Sequence, residues 1–330
     1  MNYREAILNG AKAAGDLHQE LGTKNVIEFN QRGNIDVFGT LLNRGAELLF
    51  RPLDGLLGAC IDGPGVVIST NRSLPIQRFT GAHELGHVVM GHVISFDGEE
   101  ILSESLSKDT DVKELEANAF AGEFLLPKWL LVHYARRHGW DRESMKDPAF
   151  VYQMSLRVGA SYSATIWSLQ RHGIVDASSR DKLLEIQPKT IKQALLPGHR
   201  LDHWRRDIWL ITEKDEGGVF EGQPEDLFLF RLHEKAGAGY LWDLTTLKES
   251  GFAVVNDISG ENATMDTVGS DVLRSISARS PVLQKGRLCF RQNRPWQLAG
   301  NPVSELQMQY DLRGKEVGMP RAKRPYLAAA

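Results

Sequence analysis

A chain of 330 residues is long for a single hydrophobic core and predicts two or three domains. Its 42% hydrophobic and 25% charged content is that of globular protein, and a net charge of -3 supplies no general attraction to nucleic acid or to an anionic membrane. Two cysteines, Cys60 and Cys289, exclude a disulfide framework. With no signal-peptide pattern after Met1 and no apolar run near the ~20 residues of a membrane span, the expected location is the cytoplasm.

In chain order, Ala6, Ile7, Ala11, Ala14 and Leu17 carry the spacing of an amphipathic helix, and Val37, Phe38, Leu41 and Leu42 that of a second. Segments 47–52, 56–61 and 65–70 are short, apolar and bounded by turn residues, as strands are. The last runs almost directly into the next helix. It is expected at a sheet edge, where Val66, Val67 and Ile68 would let an extended substrate add as a further strand; the plainer reading is core sheet.

That next helix carries His83-Glu84-Leu85-Gly86-His87. Residues four apart share a helix face, so both imidazoles can reach one metal ion, and Glu84 is placed to act as general base on a water held there. Ala82, Leu85, Val88, Val89 and Met90 make the helix apolar, and buried ionisable groups need a reason. A third His six residues after His87 would complete one known ligand set, but Val93 stands there; His92 misses the register and reads as a helix-end residue. Residues 114–127 form a strong helix pattern stopped by Pro127. Glu116 shares its apolar stripe with Phe120, Glu123 and Phe124, so it is the expected third ligand. Glu114, about 200° round the helix, is read as facing solvent, and Glu123 ranks behind both. Two His and one carboxylate suit a single catalytic Zn2+ with an open position.

The runs 78–87, 116–121 and 125–127 together resemble the ImmA/IrrE family of bacterial metallopeptidases over roughly residues 1–135. The resemblance implies a zincin-like domain and a cytoplasmic zinc peptidase that cleaves a helix-turn-helix repressor, switching on phage, mobile-element, stress or defence genes. By motif, His83, His87 and Glu116 match its zinc ligands and Glu84 its catalytic glutamate. Gly81 stands where the family has a larger aliphatic residue. Within such a domain Cys60 could offer a thiolate to the open position and hold the enzyme inactive, against the plainer reading of a small buried strand residue. His133, beyond Pro127, is either an oxyanion stabiliser or a packed helix residue.

Residues 136–198 are helical, and 154–169 have a helix-turn-helix rhythm, with Gly159 at the turn and Ser161 as cap. This module is a candidate site for a nucleic-acid activator through Tyr162, Ser163, Thr165 and Ser168, although Lys and Arg are sparse there. From 199 to 330 the chain becomes strand-rich: 208–212, 227–232, 240–244, 253–255, 287–291 and 305–310 predict a β-sandwich ending in a basic tail at 321–325. The loops 237–242 and 294–296 resemble those of chagasin-like cysteine-protease inhibitors, which implies an immunoglobulin-like fold. The expected architecture is therefore α+β: a peptidase domain, a helical module and a sandwich. The leading functional reading is a regulatory zinc endopeptidase acting on a protein substrate, without a membrane partner. Its rivals are a DNA-responsive regulator with a non-catalytic metal site and an interaction or inhibitor protein working through the sandwich.

Overall fold

The structure is a computed structural model that describes residues 3–30, 33–61, 65–92, 96–98, 111–196, 204–261, 271–297 and 301–324. Helix α1 (Tyr3–Leu21) buries Ala6, Gly10, Ala14 and Leu17 along one stripe, as their spacing requires. Helix α2 (Thr23–Asn30), absent from the sequence expectation, follows it directly. Helix α3 (Val37–Asn43) starts where the Asp36 carboxylate accepts the Gly39 N–H. Strands β1 (Glu47–Arg51), β2 (Leu56–Ile61), β3 (Gly65–Ser69) and β4 (Phe96–Gly98) form a mixed sheet in the order β1-β3-β2-β4.

That order corrects the edge-strand expectation. β3 is interior, parallel to β1 on one side and antiparallel to β2 on the other, so both its hydrogen-bonding sides are taken. Val66 and Ile68 are core residues and Val67 is half-buried. Being the last strand before a helix says nothing about lateral position, because β1 reaches past β2 to pair with β3.

Helices α4 (Leu74–Met90) and α5 (Val112–Leu125) complete the first unit. α5 lies between α1 and α4, and a glycine permits close approach on each side. A Cβ on Gly10 would stand 2.1 Å from the Glu116 carbonyl oxygen, and one on Gly86 would stand 3.2 Å from the Ala117 Cα. Gly10→Ala should therefore force α1 off α5 and cost about 1–3 kcal/mol, read as a lower urea midpoint at unchanged slope.

Helices α6 (Lys128–His138), α7 (Pro148–Val158), α8 (Tyr162–Arg171), α9 (Ala177–Glu185) and α10 (Pro188–Leu195) follow. The α7–α8 turn has the expected chemistry: Gly159 sits at φ 68° and Ser161 accepts the Ala164 N–H. One continuous apolar core joins α1, the sheet, α5 and the central helices, from Ala14 to Leu229.

The remainder holds β5 (Ile208–Ile211), β6 (Val219–Glu221), β7 (Leu227–Glu234), β8 (Leu241–Asp243), α11 (Thr245–Glu249), β9 (Ala253–Glu261), β10 (Val272–Arg279), β11 (Lys285–Asn293) and β12 (Ser304–Asp311). Two four-stranded sheets result, β5-β7-β10-β9 and β6-β12-β11-β8. They share a second core containing Trp209, Phe228, Phe230, Phe290 and Met308. β6 and β10 escaped the sequence reading; in β10, Arg274, Ser275 and Ser277 mask the apolar alternation.

Along β5 and β7 the side chains alternate between the two cores. Ile208, Leu227 and Leu229 join the helical core, whereas Trp209, Ile211, Phe228 and Phe230 face the opposite sheet. Burial on both faces accounts for the unbroken apolar run Leu227-Phe228-Leu229-Phe230. Side chains of α7 satisfy the backbone of β5. The Gln153 amide donates to the Ile208 carbonyl (2.8 Å) and accepts the Leu210 N–H (2.9 Å), and Arg157 donates to the Leu210 carbonyl (2.7 Å). The C-terminal segment returns to the first unit: Phe50 and Gly318 exchange backbone hydrogen bonds of 2.8 and 2.9 Å, and Gln77 of α4 pairs with both backbone groups of Glu316.

Candidate metal centre

Helix α4 begins with Pro75 in its first turn and ends at Gly91, whose φ of 68° is the left-handed conformation glycine adopts cheaply. Between these ends, His83 and Glu84 are fully buried and His87 is 3% exposed. The Nε2 atoms of His83 and His87 lie 3.0 Å apart. Glu114 completes the group, its carboxylate 3.2 Å from His83 Nε2 and 3.5 Å from His87 Nε2. One ligand atom from each of the three residues falls within 4.8 Å of the others, a cluster that could hold a metal ion.

The carboxylate brought to the imidazole pair is therefore Glu114, not the expected Glu116. The expectation treated α5 as a surface helix with one buried face. Because α5 is covered by both α1 and α4, it has two buried faces. Glu114 and Asn118, at i and i+4, face α4, where Asn118 Oδ1 lies 3.0 Å from His83 Nδ1. Glu116 faces α1 and the end of α4, with one oxygen 3.1 Å from Asn9 Nδ2 and the other 3.1 Å from His92 Nε2. Glu123 turns to α8, 3.7 Å from Arg171 and 3.6 Å from His172. The missed signal was the pair Glu114 and Asn118, a second polar stripe on an otherwise apolar helix.

The electrostatics fit a cation. Burial raises the Glu114 pKa, but hydrogen bonds and charge attraction from His83 and His87 outweigh it, holding the carboxyl well below its usual range. His83 Nδ1 lies 3.0 Å from Asn118 Oδ1, and the tautomer with its hydrogen on Nδ1 donates there and leaves the Nε2 lone pair for a metal. Two imidazole nitrogens and one carboxylate oxygen are the donor set of a catalytic zinc. Glu84, adjacent in sequence, packs beside β2: a Cβ on Gly58 would lie 3.1 Å from Glu84 Oε1 and 2.4 Å from Thr80 Cγ2. Sequence reasoning passed over Gly58, which keeps this space open.

The other expected residues are dispersed. His133 lies on α6, with Arg137, Glu28, His138 and Lys24 as its charged neighbours; burial, ahead of those charges, lowers its pKa. Glu28 and Lys24 belong to α2, and His133 is half-buried there as a helix residue. The side chain of Cys60 lies outside the described residues. On α8, Tyr162, Thr165 and Ser168 are buried, and of the four side chains considered as candidates for a nucleic acid only Ser163 is exposed. The two loops singled out near the C-terminus do meet: Trp296 packs on Gly239, and the Arg294 guanidinium stands 4.6 Å over the Tyr240 ring.

Residues 32–166 match the family Peptidase_M78, described as the IrrE N-terminal-like domain, which bears out the resemblance read from the motifs. This segment is a zincin-like domain of metallopeptidase type. No curated protein matches the chain. Among solved structures, a cysteine protease inhibitor from Entamoeba histolytica is similar at 20% identity, covering 33% of this chain and 97% of that one, with a TM-score of 0.29. The solution structure of amebosin is similar at 16% identity, covering 32% and 97%, with a TM-score of 0.27. A Mycobacterium tuberculosis transcriptional regulator is similar at 12% identity, covering 84% and 81%, with a TM-score of 0.33. Among the described residues, no helix is long and apolar enough to cross a membrane.

Proposed function

We propose that this chain, whose residues 32–166 carry a metallopeptidase-type domain, is a zinc endopeptidase that inactivates a transcriptional repressor of the helix-turn-helix class. The observation that carries this reading is the convergence of buried His83 and His87 with half-buried Glu114, together with buried Glu84 on the helix of the two His. A purely structural site would have no use for an additional buried carboxylate beside its ligands. His83, His87 and Glu114 would hold the ion, which supplies Lewis acidity towards a peptide carbonyl. Glu84 takes the proton of the attacking water and returns it to the departing amine, so one carboxylate acts first as base and then as acid. Asn118 holds His83 in the tautomer that leaves Nε2 open. The repressor as substrate, derepression of stress, mobile-element or defence genes, and a cytoplasmic setting rest on the family resemblance.

The test is incubation of the purified full chain with a repressor encoded beside it. Cleavage at one bond, abolished by a chelator and restored by Zn2+, is the expected result. Cleavage that persists undiminished in metal-free protein would sink the proposal.

A further inference from the structure

We infer that His92 and Glu116 are positioning residues for His87, forming a His–His–carboxylate chain that orients this ligand and raises its affinity for the metal. The inference rests on the metal site proposed above and extends it beyond the three ligands. Gly91, in its left-handed conformation, turns the chain back at the end of α4 so that the His92 N–H donates to the His87 carbonyl at 3.0 Å. That turn sets the His92 ring edge-on to the His87 ring, with centroids 5.1 Å apart. His87 Nδ1 and His92 Nδ1 are then 3.0 Å apart, and His92 Nε2 is 3.1 Å from Glu116 Oε2. Asn9 of α1 donates to the remaining oxygen of Glu116 at 3.1 Å.

With a metal at His87 Nε2, one arrangement of protons satisfies every contact. His87 carries its hydrogen on Nδ1 and donates it to the Nδ1 lone pair of His92. His92 must then carry its own hydrogen on Nε2, which it donates to the Glu116 carboxylate. The chain ends on a group that only accepts, so its direction is set by Glu116 and not by His87. A carboxylate at the far end also draws proton density away from His87 and makes Nε2 a stronger donor to a metal. Asn118 orients His83 in a single step, so α5 holds one ligand directly through Asn118 and the other through His92 by way of Glu116. Glu116, expected as a ligand, thereby acts on the metal from two side chains away.

The experiment measures Zn2+ affinity of the full chain by competition with a chromophoric chelator, alongside the visible spectrum of the Co2+-loaded protein. His92→Ala and Glu116→Ala should each weaken Zn2+ binding about 10- to 100-fold and alter the Co2+ bands. The double variant should lose no more than the weaker-binding single, because both act through one chain. Glu116→Gln keeps the size but loses the charge and the purely accepting character, so it should weaken Zn2+ binding in the same direction, by less than Glu116→Ala. His92 lies beyond the last turn of α4, so His92→Ala with Glu116→Gln keeps the test decisive should Glu116→Ala fail to fold. Wild-type affinity in His92→Ala, or losses that simply add in the double variant, would overturn the inference while leaving the ligand set intact. Complete loss of Zn2+ in Glu116→Ala with full retention in Glu114→Ala would instead overturn the ligand set itself.

Discussion

Replacing Glu84 by glutamine should leave the protein folded and fully loaded with zinc but reduce repressor cleavage by roughly 10²- to 10⁴-fold, the range for loss of a general acid–base. The substitution keeps size and burial while removing the carboxylate that accepts the proton. None of the three side chains whose ligand atoms converge is altered. His83→Ala, His87→Ala and Glu114→Ala should behave differently: each removes a donor, so metal content and activity fall together. Metal analysis of the four purified variants beside a cleavage assay separates the two classes. Stoichiometric zinc in Glu114→Ala would show that the third ligand lies elsewhere, and appreciable cleavage by Glu84→Gln would assign the base to another group.

The second large effect lies at the junction between the central helices and the C-terminal sheets. Asp215 is 3% exposed and accepts from Arg157 at 2.8 and 3.0 Å, while His138 Nε2 lies 2.9 Å from it. Asp215→Ala strands the Arg157 guanidinium, itself 5% exposed, without its counter-charge. A loss of about 3–5 kcal/mol is expected, measured as a drop in the urea midpoint. The same carboxylate predicts a pH dependence. Burial raises its pKa, but Arg157 and then His138 outweigh burial and bring it from the ordinary 3.8 down to about 2. A carboxyl with a depressed folded-state pKa stabilises fully above its unfolded value and loses that contribution as pH falls through the folded one. On the order of 2 kcal/mol should therefore disappear between about pH 4 and pH 2. In Asp215→Asn this part of the acid transition should be missing; an unchanged acid profile would mean that the pair contributes little.

What the amino-acid sequence determined by itself was local. His83, Glu84 and His87 lie within one turn and a fraction of helix, so their common use follows from helical geometry alone. The α7–α8 turn was equally legible, because Gly159 and Ser161 act on their immediate neighbours. Most strands of the C-terminal sheets were legible as short segments bounded by turn residues; β6 and β10 were not, and in β10 serines and an arginine occupy the sequence while the pairing on both sides holds it in place.

Tertiary structure decided everything that depends on which surface meets which. Glu114 and Glu116 differ by two positions on one helix, and no periodicity could choose between them while α5 was assumed to have a single covered face. Burial of α5 against both α1 and α4 gave each carboxylate its own partner, His83 and His87 for Glu114, His92 and Asn9 for Glu116. The interior position of β3 came from pairing with a strand 18 residues earlier in register, Glu47 opposite Gly65, which local pattern cannot encode. Gln77 on Glu316 and Arg157 on Asp215 are likewise contacts across long sequence separations. Short-range geometry placed the reactive pair on one helix; long-range packing chose the carboxylate that completes it.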